Sequence, residues 1–193
     1  GHIDFKAWQC LCEIIDNSID AFAAHDANSA SGEVPCIKIK LPATSATRLE
    51  PDNVLEITDN GQGMTKSELE QSLKAGFSSN DPTDKMGLFG MGFNIATARL
   101  GKKNEITTCK KSETFKYQVT IDFKELKKLG RFEAPIKTIP KDIDEHDKEG
   151  TTIKIYNLDE DQVKSLRRKS DRLKEIEKTY GKILREKGFQ IIY

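Results

Sequence analysis

Two acids and an amide lie at helical spacing near the amino terminus of the 193-residue chain. Glu13, Asn17 and Asp20 share one face of a helix predicted over residues 5–24. The apolar stripe on the opposite side of this helix consists of Phe5, Trp8, Leu11, Cys12, Ile15, Ile19 and Phe22. No Lys or Arg occurs in residues 7–37, so these acids lack the usual helical ion-pair partners. Such oxygen ligands suit a hard cation such as magnesium, and a solvated helix face is the alternative.

A second candidate site follows a short strand predicted over residues 54–58. It is the run 59–64, Asp-Asn-Gly-Gln-Gly-Met, in which Asp59 opens a turn and Gly61 permits backbone angles that other residues resist. A turn of the form Asp-x-Gly-x-Gly is common and, taken alone, is more often structural than functional. The sequence therefore marks Asp59 as a candidate that needs support from the rest of the chain.

The third candidate is a glycine-rich stretch, residues 76–92, which predicts a long loop. Gly87, Gly90 and Gly92 come just before a helix predicted over residues 93–100, where backbone N–H groups can converge on an anion. The spacing matches neither the dinucleotide fingerprint nor the Walker P-loop. A loop of this length in a compact domain is usually a lid, a binding loop or a disordered segment.

In this order the three elements resemble the GHKL ATPases, which include DNA gyrase B subunits, ninety-kilodalton heat-shock chaperones, histidine kinases and MutL proteins. A fourth block, Gly150-Thr151-Thr152 at the start of a strand predicted over residues 151–156, also resembles the family, with a simple turn into a strand as the alternative. The resemblance covers residues 5–157 and is closest to the chaperone, MutL and Morc-like branches. It implies an α+β fold, a two-layer sandwich called the Bergerat fold, with a mixed and largely antiparallel sheet.

The resemblance also implies a role for individual residues. Glu13 would activate water, Asn17 would hold magnesium, and Asp59 would accept the amino group of adenine. Thr152 would be the second polar contact to adenine, and Lys85 with the lid amides would contact the phosphates. The nucleotide-binding residues implied in this way are Asn17, Asp20, Ala21, Asp59, Gly61, Gly63, Met64, Lys85, Gly87, Leu88, Phe89, Gly90, Met91, Gly92, Phe93 and Thr152.

By the same resemblance the chain would bind ATP or ADP with Mg²⁺ and hydrolyse ATP, slowly as an isolated domain. Binding would close the lid and drive homodimerisation of a longer protein, whose further domains would engage DNA or a protein client. Glu13 favours hydrolysis, because the kinase branch generally lacks this glutamate. Two alternatives stay open: an ATP-dependent conformational switch without turnover, and a protein-histidine kinase catalytic domain.

Composition restricts the possible partners. The formal net charge is zero, so global charge does not recruit nucleic acid or membrane. No apolar stretch has the length of a membrane span and no signal-peptide pattern is present, so we expect a cytoplasmic protein. Cys10 and Cys12 have apolar neighbours and are expected to be packed, reduced thiols, and the cysteine and histidine spacing does not favour zinc.

The remaining pattern predicts one domain over residues 3–193, excised from a longer protein, after a Gly1-His2 tag remnant. A basic helix is predicted over residues 159–187, with a solvated face as the simplest interpretation and contact with nucleic acid or a downstream domain as the alternative. Further predicted elements are a linker near 25–33, strands at 35–41, 104–109 and 115–122, a helix at 66–75 capped by Thr65 and Glu68, a charged connection after 122, and a strand beginning after Gly188.

Overall fold

The computed structural model describes residues 7–25, 34–42, 53–77, 91–111, 113–129, 134–167 and 169–193. In chain order the elements are α1 Ala7–His25, β1 Cys36–Lys40, β2 Leu55–Asp59, α2 Lys66–Phe77, α3 Met91–Leu100, β3 Lys103–Cys109, β4 Phe115–Asp122, α4 Phe123–Leu129, β5 Lys137–Pro140, β6 Gly150–Tyr156, α5 Glu160–Arg167, α6 Lys169–Lys187 and β7 Gln190–Ile192. A short 3₁₀ helix, Ile143–Glu145, precedes β6.

The strands form one mixed sheet in the order β5-β4-β3-β6-β2-β1-β7. Neighbouring strands are antiparallel except β1 and β7, which are parallel. The strand expected after Gly188 is thus confirmed as β7. Helices cover one face of this sheet, so the predicted α+β sandwich with a largely antiparallel sheet is confirmed.

Alternation along the strands separates a buried face of the sheet from a polar one. In β2, Leu55 and Ile57 are fully buried, and they belong to one hydrophobic cluster with Leu11, Ile14 and Ile15 of α1. Shortening a fully buried Ile of this cluster to Ala would cost about 2–5 kcal/mol of stability. Side chains on the other face are polar and at least partly exposed: Lys38, Glu56, Thr58, Thr107, Thr152 and Lys154. Because successive side chains alternate, a strand residue can serve only one of the two faces.

The start of α2 confirms the predicted capping box. The backbone N–H of Thr65 donates to Glu68 Oε2 at 2.7 Å, and the backbone N–H of Glu68 donates to Thr65 Oγ1 at 3.2 Å. These two bonds satisfy N–H groups that have no partner within the helix. They fix the direction in which the chain leaves the turn after β2.

Two elements differ from the sequence expectation, and a third agrees with it. The charged connection after β4 contains α4 and β5, and Asp122 caps α4 by accepting the N–H groups of Lys124 and Glu125 at 2.9 and 3.2 Å. The helix predicted over residues 159–187 is helical where it is described, as α5 and α6. The ends of the predicted loop 76–92 are helical, because α2 extends to Phe77 and α3 starts at Met91.

None of the helices in the described ranges combines the length and the apolar character that a bilayer crossing requires. Cys10 and Cys12 are buried, as predicted. Burial raises the pKa of the Cys12 thiol to about 11, although the Tyr180 hydroxyl opposes this shift. The predicted linker near 25–33 lies, from residue 26 onward, outside the described residues.

Candidate functional site

α1 carries the acids and the amide on a partly exposed face. Glu13 and Asn17 are half-buried and Asp20 is exposed. The side-chain amide nitrogen of Asn17 donates to the backbone carbonyl of Glu13 at 2.7 Å, which fixes the orientation of the amide along the helix. Partial burial and, second, the negative charge of Asp16 raise the pKa of Asp20. The predicted grouping of these residues on one helical face is therefore present.

Ser18 links this helix to the end of β2. Its side chain is buried on the side of α1 that packs on the sheet, and its hydroxyl donates to Asp59 Oδ2 at 2.9 Å. A buried hydroxyl needs such a partner, because an unpaired one costs free energy on folding. The bond joins the helix that carries Asn17 to the carboxylate at the end of the strand.

Asp59 is a buried carboxylate, only 6% exposed, that accepts three hydrogen bonds. Besides Ser18, the backbone N–H groups of Gly61 and Thr151 donate to Oδ1 at 3.0 and 3.2 Å. Burial raises the pKa of Asp59 to about 6, and the three donors moderate this shift. A carboxylate has about four lone-pair positions. The described residues thus fill three of them and leave one for a donor from outside.

Two threonine hydroxyls continue the polar row across the neighbouring strands. Thr151 of β6 pairs with Asp59 in the sheet, and Thr108 of β3 pairs with Thr151. The two hydroxyl oxygens are 3.1 Å apart, and the backbone N–H of Met64 donates to Thr108 Oγ1 at 2.9 Å. All three side chains are buried at the same end of the sheet. The row therefore holds the turn after β2 against β3 and β6.

The structure corrects the placement of Thr152. Its side chain lies on the opposite, polar face of the sheet, where its hydroxyl is 3.1 Å from the hydroxyl of Thr58. The reason is the alternation of side chains along β6, which gives the position beside Asp59 to Thr151. Within the block 150–152, Thr151 therefore lies beside the carboxylate, and the Thr152 side chain points away from it.

Two glycines with positive φ allow the backbone segments around Asp59 to approach closely. Gly63 has φ +62°, and a Cβ atom there would lie 1.9 Å from the carbonyl oxygen of Cys109. Gly150 has φ +125°, and a Cβ atom there would lie 2.1 Å from the carbonyl oxygen of Asp59. Both glycines are therefore required by conformation and by space. They allow the turn after β2 and the start of β6 to pack against each other.

Comparison with known proteins identifies this arrangement. The sequence profile of a family described as histidine kinase-, DNA gyrase B- and HSP90-like ATPase matches residues 5–167. The chain belongs to this family. A search of curated proteins finds no match. As a GHKL ATPase domain the chain binds ATP or ADP, and its α+β sandwich is the Bergerat fold.

The GHKL match contains all the residues described around Asp59 and ends with α5. α6 and β7 follow the matched range, yet Tyr180 and Phe189 from these elements are buried in the same hydrophobic cluster as α1. The rings of Phe189 and Phe22 lie 5.2 Å apart between centroids. The segment after the match is therefore packed on the helix that carries Asn17.

Several predicted site residues lie outside the described residues. They belong to the central part of the glycine-rich stretch: Lys85, Gly87, Leu88, Phe89 and Gly90. Met91, Gly92 and Phe93 form the first turn of α3. Ala21 and Gly61 are in close contact, since a Cβ atom on Gly61 would lie 3.0 Å from that of Ala21.

Among the described residues, no group of three or more His, Cys, Asp or Glu side chains is placed to hold a metal ion. Magnesium takes oxygen ligands and usually keeps several waters, so it does not require such a group. The side chain of Asn17 carries one such oxygen, and its amide nitrogen is the atom that donates to the backbone carbonyl of Glu13.

Sequence reasoning missed Ser18, Thr108 and Thr151 as parts of the site. Ser18 had a visible signal, because it interrupts the apolar stripe of α1 between Ile15 and Phe22, where a polar residue must find a buried partner. Thr151 lies in the block Gly150-Thr151-Thr152 that the sequence marked, but its position beside Asp59 and Thr108 depends on β6 inserting between β2 and β3.

Proposed function

We propose that this GHKL domain binds ATP with Mg²⁺ and hydrolyses it to ADP and phosphate. The observation that carries the proposal is the buried Asp59 carboxylate, whose three bound donors leave one acceptor position. The amino group of adenine is the donor for that position. Guanine carries a carbonyl oxygen at the corresponding place, so it would oppose two acceptors, and the site prefers adenine.

Thr151, in place of Thr152, is the candidate for the second polar contact to the base. Its hydroxyl lies in the same row as Asp59, and its backbone N–H already supports the carboxylate at 3.2 Å. The lid residues, including Lys85, are proposed to contact the phosphates. Ala21 and Gly61 would line the site where α1 meets the turn.

The experiment that tests adenine recognition is calorimetric titration of ADP into the wild type and Asp59→Asn. The substitution places an amide where the adenine amino group donates, so we expect a loss of about 1–3 kcal/mol, or about 5- to 150-fold in affinity. Asp122→Asn is the matched control, because Asp122 caps α4 and does not contact the site. Unchanged ADP affinity in a folded Asp59→Asn protein would contradict the assignment.

Glu13 is the proposed base for hydrolysis. It lies one helical turn before Asn17 on the partly exposed face of α1. Asn17 would hold Mg²⁺ through its carbonyl oxygen, and the bound ion would neutralise charge on the phosphates. Catalysis of phosphoryl transfer comes mainly from positioning and charge stabilisation, so Glu13 would orient the attacking water and accept its proton.

In the whole protein, we propose that ATP closes the glycine-rich lid and promotes homodimerisation, and that further domains engage a DNA or protein client. Two other functions use the same binding site. A conformational switch would bind ATP without releasing phosphate, and a protein-histidine kinase would transfer the γ-phosphoryl group to protein. Phosphate release and transfer from labelled ATP distinguish these two functions from hydrolysis.

A further inference from the structure

Tyr180 of α6 reaches the flank of α1 beside its acidic face. Its hydroxyl oxygen lies 2.7 Å from Asp16 Oδ1 and 3.0 Å from the backbone carbonyl oxygen of Cys12. The side chain is 4% exposed, so this contact is buried although the Asp16 carboxylate itself is accessible. Tyr180 lies beyond the part of the chain that matches the GHKL family.

The charge of Asp16 lies close to the face of α1 that carries Glu13, the candidate base, and Asn17, the candidate metal ligand. Asp16 lies three residues after Glu13 and four before Asp20, which places it at the edge of that face. Partial burial and, second, the negative charge of Asp16 raise the pKa of Asp20, as expected for two carboxylates one helical turn apart. An unrestrained Asp16 would therefore add negative charge where the nucleotide phosphates must bind.

The tyrosine hydroxyl is suited to restrain this carboxylate. Burial and the hydrogen bond to Asp16 raise the pKa of Tyr180 above its ordinary value, so the hydroxyl keeps its proton at neutral pH and donates it. Hydrogen bonds to a charged acceptor are short and stronger than neutral ones. The distance of 2.7 Å to Asp16 agrees with such a bond.

We propose that Tyr180 is a positioning residue of the nucleotide site: it holds the Asp16 carboxylate toward α6 and thereby lowers its repulsion of the phosphates. The proposal rests on the proposed nucleotide binding. It assigns a function to the segment after residue 167, which sets the charge seen by the phosphates without touching them.

Removal of the hydroxyl alone tests this role. Tyr180→Phe keeps the ring in the core and frees Asp16. Because the repulsion grows with phosphate charge, we expect ATP affinity to fall about 3- to 10-fold, ADP affinity less and AMP affinity little at low salt, with the differences shrinking at high salt. A merely structural role would weaken all three nucleotides equally.

Tyr156→Phe is the matched control, because the Tyr156 hydroxyl bonds to Glu105 at 3.3 Å on the polar face of the sheet. Calorimetry of ATP, ADP and AMP with the wild type and both variants measures the effect. In an Asp16→Asn background the loss caused by Tyr180→Phe should disappear. Equal losses for the three nucleotides, no loss, or a loss that persists in that background would each overturn the inference.

A second variant keeps the test decisive if Tyr180→Phe does not fold. Asp16→Asn alone removes the charge, so it should bind ATP at least as tightly as the wild type, and weaker ATP binding would overturn the inference. Failure of the proposed function is distinguishable, because the wild type would then bind none of the three nucleotides.

Discussion

Lowering the pH should weaken adenine nucleotide binding through Asp59. The described donors occupy three of its lone-pair positions, so a proton and the adenine amino group would compete for the remaining one. With a pKa of about 6, the fraction of Asp59 that is ionised falls to about one half at pH 6 and about one eleventh at pH 5. ADP affinity should therefore fall about 10-fold between pH 8 and pH 5 from this group alone.

The assay is calorimetric titration of ADP at several pH values between 8 and 5, in parallel for the wild type and Asp59→Asn. The phosphates of ADP also take up protons in this range, but they do so in both titrations. The ratio of the two dissociation constants isolates Asp59, because Asn has no proton to gain. A ratio that stays constant with pH would refute the competition for the fourth position.

The same group gives a stability change of opposite sign. Its pKa is raised from an ordinary value of 3.8 to about 6 in the fold, so the folded state binds the proton more tightly than the unfolded state. Ionised Asp59 therefore costs stability above pH 6, and the cost is relieved as the pH falls to about 4. The full difference corresponds to about 3 kcal/mol, observable as a flatter acid denaturation profile in the wild type than in Asp59→Asn.

Three further predictions concern catalysis, base recognition and the core. Glu13→Ala should lower phosphate release about 100- to 10,000-fold while ADP affinity is retained, and a wild-type rate would place the base elsewhere. Thr151→Val should weaken ADP binding measured by calorimetry, whereas Thr152→Val on the polar face should not, and the reverse result would restore the original assignment. Asn104 is 0% exposed, and its side-chain nitrogen and oxygen have no hydrogen-bond partner in the described structure. Asn104→Leu should therefore raise the free energy of unfolding by about 1–3 kcal/mol, measured by denaturant titration, and a lower free energy of unfolding would indicate a bound water in the wild type.

The sequence predicted those parts of the fold whose signals are local. The periodicity of α1, the turn after β2 and the Thr65 capping box each lie within a few residues, and each was located to within two residues. Asp122 carries a comparable signal for α4, because it is an acid three residues before Glu125.

The site was less predictable because it depends on neighbours that are distant in sequence. Only the pairing of β2 with β6 decides that Thr151 supports Asp59 and that Thr152 does not. Strand registry shifted by one residue would exchange the two faces. The resemblance to GHKL ATPases pointed to the block 150–152, and only the fold shows which of its two threonines lies beside Asp59.

The insertion of β6 between β3 and β2 also determines when the site can form during folding. Asp59 meets Ser18 across 41 residues and Thr151 across 92, so its donors come together only after long chain loops have closed. Long-range pairing of this kind is slow. A nucleotide that needs this carboxylate cannot bind an early intermediate, so ADP should slow unfolding and leave the refolding rate unchanged. The ligand then stabilises the finished domain by mass action, about 2.7 kcal/mol at one hundred times its dissociation constant.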